Sequence, residues 1–97
     1  MKETKNETKL LSVLLCIMQN GITKLEDGRI VEDGYMIVYA KGLLMCVLSV
    51  LYLSDYIDSK KQYEIERSVI YEDIDRLKEE FEILTSNLTI MCEEENK

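Results

Sequence analysis

The residues of this chain that could do chemistry are carboxylates, tyrosines, three thiols and one lysine set in apolar sequence. Asp73 with Asp75, and Glu79 with Glu80, are the pairs an acid/base mechanism would want. They fall in a segment dense with charge, whereas functional acids sit in desolvated clefts, so a solvated face is expected instead. The chain has no His, so neither Ser nor Cys has an imidazole to activate it. Cys16, Cys46 and Cys92 are isolated, with no CxxC pair, which argues against a disulfide framework or a zinc site. Each lies among apolar neighbours, where a free thiol behaves as a small hydrophobe, and a reducing compartment is expected. Glu26-Asp27 and Glu32-Asp33 lack the twelve-residue calcium loop, and Gly28 and Gly34 are too sparse to cradle a phosphate. Asn6-Glu7-Thr8 and Asn87-Leu88-Thr89 match a glycosylation acceptor pattern that carries weight only in a secretory context. A binding protein with no metal and no cofactor is expected, not an enzyme.

Lys41 is the one charge between Met36 and Leu53. A lysine in an apolar helix ordinarily snorkels to the rim. The alternative is a ligand pocket in which Lys41 pairs with an anion beside the Tyr52 and Tyr56 hydroxyls, all three lying close together on a helical wheel. Gly42, Cys46 and Ser49 fall next to that seam, where small side chains let a neighbouring helix approach.

The elements that must carry these residues are helical. There is no Pro, only 4 Gly, and 46% of residues are apolar, so few positions force the backbone out of a helix. Thr8 can cap a first helix over 8–19, which reads as amphipathic rather than as a signal sequence, with Asn20-Gly21 as its stop. Residues 21–33 hold the turn chemistry, either a hairpin turned at Asp27-Gly28 or an irregular acidic loop. Asp33 then caps a helix over 34–59, apolar on nearly every side, which second copies of the chain or lipid must cover. A third helix over 61–92 carries Ile70, Ile74, Leu77, Phe81, Leu84, Leu88 and Met91 at alternating spacings of four and three, a heptad seam. Val69, Ile83 and Ile90 add a second apolar row that suits a bundle. The expectation is a single all-α domain over 1–97: a three-helix bundle-like subunit, oligomeric through Leu44, Leu48, Leu51, Ile74, Leu77, Phe81 and Leu84.

Charge completes the reading. The net charge is -7, and thirteen of the nineteen acidic residues lie at or beyond Asp55. Such a surface repels phosphate backbones, so direct nucleic-acid binding is not expected. It would attract a basic protein surface, with Glu72, Glu79 and Glu82 as the contacting carboxylates. The leading functional expectation is a small cytoplasmic interaction protein that modulates or inhibits a partner, in the manner of viral and mobile-element accessory factors. Two alternatives are a single-span membrane protein crossing at 36–53, just long enough at about 27 Å, and an oligomeric small-ligand binder around Lys41.

Overall fold

The computed structural model describes residues 2–95, with side chains from 8 to 94, so Asn6 of the first glycosylation triplet lies outside the described side chains. The chain is all-helical among these residues, but it has four helices rather than three: α1 (Lys2–Ile30), α2 (Gly34–Leu53), α3 (Ser59–Ile70) and α4 (Ile74–Glu95). Helices α1 and α2, α2 and α3, α3 and α4, and α1 and α4 pack side by side, which closes a ring. Connections this short make consecutive helices antiparallel.

Four of the sequence expectations for the elements need correction. The first helix does not stop at Asn20-Gly21. A Cβ on Gly21 would lie 2.9 Å from Cγ and Cδ2 of Leu44, so this glycine permits close approach of α1 to α2 instead of ending α1. The expected hairpin or loop at 21–33 is therefore helix as far as Ile30. The helix expected over 34–59 ends at Leu53, and the one expected over 61–92 is two helices broken at Tyr71-Glu72-Asp73.

The three breaks share one construction. Glu32, Asp55 and Glu72 have φ of 56°, 63° and 57°. After each, the next residue's N–H donates to a carbonyl five residues back: Asp33 to Gly28 at 2.9 Å, Tyr56 to Leu51 at 2.9 Å, Asp73 to Ser68 at 2.8 Å. These are Schellman caps in which an acidic residue stands where glycine usually does. Asp33 and Asp73 then each start the next helix, Asp33 Oδ1 accepting from the N–H groups of Tyr35 and Met36, and Asp73 Oδ1 from that of Arg76. The chain thus uses the string Ile-Xaa-Glu-Asp twice, at Ile30–Asp33 and Ile70–Asp73, to reverse direction in three residues. Asp58 caps α3 through the N–H of Lys61 at 2.8 Å.

The core runs along the bundle axis. It is built from Leu11, Leu14, Leu15, Met18, Ile22 and Leu25 of α1, Ala40, Leu44, Val47, Leu48 and Leu51 of α2, Ile57, Ile65, Val69, Leu77 and Leu84. This corrects the expected oligomer interface. Leu44, Leu48, Leu51, Leu77 and Leu84 are buried within one chain, and Ile74 and Phe81 pack against the same core. The cover that the three-helix reading had to seek in another copy comes from the same chain, α1 and α3 each packing against both α2 and α4. Ile70, first residue of the expected seam, belongs to α3 and is exposed.

Candidate functional site

Helix α2 presents two unlike apolar faces. One carries Ala40, Leu44, Val47, Leu48 and Leu51 into the core. The opposite one carries Tyr35, Val38, Tyr39, Gly42, Cys46, Ser49, Val50 and Leu53, all exposed. Their spacings of three and four put them in one stripe about 27 Å long. Tyr35 is 92%, Val38 70% and Leu53 77% exposed, and no residue of the stripe is charged. Among the described residues a Cβ added at Gly42 would meet nothing within 4 Å, so none of them requires a glycine there. Length and composition also make α2 a helix that could cross a bilayer, with mean hydropathy 2.0 and 28% of its apolar window buried inside the bundle.

The predicted ligand residues are not gathered into a pocket. Lys41 Nζ lies 2.7 Å from Glu72 Oε2 and donates to the carbonyl of Ile70 at 3.3 Å. Arg29 reaches the same turn, donating from Nη1 to the carbonyl of Glu72 at 2.7 Å while its Nε stands 3.5 Å from Glu72 Oε1. Lys41 thus ties α2 to the cap of α3. Tyr52 is eleven residues further along α2, about 16 Å, and Tyr56 lies past the helix end, half-buried against the core. The predicted acidic contact set divides too: Glu79 and Glu82 are exposed on α4, whereas Glu72 sits in the α3–α4 turn between two cations.

Sequence reasoning placed Glu79 and Glu80 together on a solvated face, and the structure separates them. Glu79 is exposed, but Glu80 is 3% exposed, with Oε1 at 3.4 Å from Lys61 Nζ and 3.3 Å from Arg76 Nε. Its neighbours Lys61, Glu64, Ile83 and Leu84 line a shallow cleft of about 340 Å³ between α3 and α4. The i, i+4 relation of Arg76 to Glu80 was the available signal, although burial could not be read from it. A further bridge joins α4 to α1, with Lys78 Nζ 2.9 Å from Glu26 Oε2. That carboxylate, by hydrogen bond first and charge second, raises the Lys78 pKa above its ordinary 10.5.

The three thiols, Cys16, Cys46 and Cys92, are free and exposed. On α3, Arg67 lies over the rings of Tyr63 and Tyr71, 6.0 and 5.8 Å from their centroids. Compared with known proteins, the chain matches no family, no curated protein and no solved structure.

Proposed function

We propose that this protein works by binding other protein surfaces, as a small helical interaction module whose contact surface is the outward face of α2. The observation that carries this reading is the uncharged stripe from Tyr35 to Leu53, exposed although the inner face of the same helix already completes the core. Contiguous apolar surface of this extent on a soluble domain marks a contact site. Tyrosines at its Tyr35–Tyr39 end supply large, rigid, amphipathic contact area.

The acidic face of α4 has a supporting role. Glu79 and Glu82 extend into solvent and give a negative field that steers a basic patch on a partner and turns away nucleic acid. Modulation or inhibition of a partner then follows from occupancy: a helix laid along α2 is no longer free for its own partners.

The test compares two surface variants in co-purification from the cells of origin. Val38→Lys with Leu53→Lys is expected to abolish recovery of associated protein, and Glu79→Lys with Glu82→Lys to leave most of it. The reverse result would move the contact surface to α4. A second reading rests on the length and hydropathy of α2, which suit a bilayer span. It would require the bundle to open, stripping Leu44, Leu48 and Leu51 from the core and Lys41 from Glu72, and circular dichroism with lipid vesicles tests it.

A further inference from the structure

The stripe on α2 is matched to itself. Its eight residues form four pairs, each equidistant from Leu44 along the helix: Tyr35 with Leu53, Val38 with Val50, Tyr39 with Ser49, and Gly42 with Cys46. If a second α2 is laid antiparallel on the first with its two-fold axis at Leu44, these are the residues that meet. Each meeting is sterically complementary. The bulky Tyr39 ring falls against the small Ser49, Gly42 opens a space for the Cys46 thiol, and valine meets valine. A parallel arrangement would set Tyr39 on Tyr39 and leave Gly42 facing Gly42, with bulk on bulk and a gap at the crossing.

Charge and area point the same way. The stripe has no charge of its own, and the Lys24 ammonium of α1 stands 5.8 Å from the Tyr39 ring centroid, so a strongly basic partner would find no counter-charge there, whereas a second stripe asks for none. Eight residues of these exposures offer an area on the order of the roughly 800 Å² that each partner contributes to a standard interface. Gly42 supplies an independent reason. A mid-helix glycine costs about 0.5–1 kcal/mol relative to alanine, none of the described residues needs the space it leaves, and close approach of another helix does.

Building on the reading of α2 as the contact surface, we infer that its occupant is a second copy of this chain, packed antiparallel about Leu44 as an isologous dimer. The Gly42–Cys46 pair lies at the crossing, and Tyr35 and Leu53 close each end.

The experiment uses the full-length chain. Sedimentation over a concentration series should show a monomer–dimer equilibrium, and Gly42→Leu should weaken it at least tenfold while the monomer keeps its helical circular dichroism. Register is read by cross-linking in a Cys16→Ser, Cys46→Ser, Cys92→Ser background. Tyr35→Cys mixed with Leu53→Cys should be joined by a short bis-maleimide, and Tyr35→Cys alone should not. Cross-linking of Tyr35→Cys to itself would overturn the antiparallel pairing. A chain that stays monomeric up to about 100 µM, while the Cys46 thiol loses maleimide reactivity on neutral phosphatidylcholine vesicles, would overturn the second copy as occupant yet keep α2 as the contact face. A dimer unaffected by Gly42→Leu and Leu53→Lys, with neither cysteine pair cross-linked, would overturn both readings.

Discussion

Each of the three reversals is held by a residue with no glycine's excuse for positive φ. For an L-residue the left-handed region costs about 1–2 kcal/mol, so Glu32, Asp55 and Glu72 are strained. Asp55→Gly should therefore raise stability by about 0.5–1 kcal/mol in urea unfolding. Glu72→Gly should gain less or lose, because the side chain held by Lys41 and Arg29 goes with the strain. Glu80→Ala should destabilise by about 0.5–1.5 kcal/mol, since Lys61 and Arg76 lose their buried carboxylate but stay partly solvated and keep Glu64. At Lys78 the linkage has a definite sign. Its pKa is raised in the folded chain, so the stability it contributes is complete below about 10.5 and fades as pH climbs through the folded value. Melting points of the parent and Lys78→Gln should converge at high pH. Of these pairings only Arg76 with Glu80, one helical turn apart, was legible in sequence, and even there Glu72 and Glu80 read as two more surface acids among many. The other partners Lys41, Arg29 and Lys61 come from helices that only the fold brings near.

At the level of elements, helical character was legible because apolar residues recur at three and four. What misled was punctuation. Asn20-Gly21 looks like a stop and lies inside α1, while Tyr71-Glu72-Asp73 looks like helix and is a turn. The α4 residues Ile74, Leu77, Phe81, Leu84, Leu88 and Met91 lie in or against the core, but the four-residue step from Ile70 to Ile74 crosses the break by coincidence of spacing. Glycine therefore plays opposite parts in adjacent helices, and substitution should separate them. Gly21→Ala puts a methyl 2.9 Å from the buried Leu44 side chain, and overpacking there should cost about 1–3 kcal/mol net of improved helix propensity. Gly42→Ala meets nothing within the chain and should stabilise the monomer by about 0.5–1 kcal/mol. Urea unfolding at concentrations where the chain is monomeric checks both. Equal signs would show that the α1–α2 contact at Gly21 is looser than the distances imply.

For the molecule as a whole, the question is how a chain of net charge -7 meets a copy of itself. Sequence patterning indicated correctly that α2 is apolar on nearly all sides, and it suggested that something beyond the chain must cover it. It assigned the wrong residues to that role, naming Leu44, Leu48 and Leu51 where the exposed face is Tyr35, Val38, Tyr39 and Leu53. The difference is which side of α2 the packing of α1 and α3 leaves open. Leu48→Lys should consequently unfold the chain, whereas Val38→Lys should leave it folded and hinder only its contacts. The α2 stripes attract by apolar burial, but two acidic bundles repel over a Debye length of about 30 Å at 0.01 M ionic strength and only about 8 Å at 0.15 M. Dimerisation through α2 should therefore strengthen as salt is added. A basic partner docked on Glu79 and Glu82 should show the opposite slope, tight at low salt and weaker as screening grows. Sedimentation of the purified chain at both ionic strengths gives the sign directly. A dimer that falls apart as salt rises would mean that its interface is electrostatic, with acidic α4 set against the lysines and arginines of a second copy, and the uncharged face of α2 would lose its claim as the surface of association.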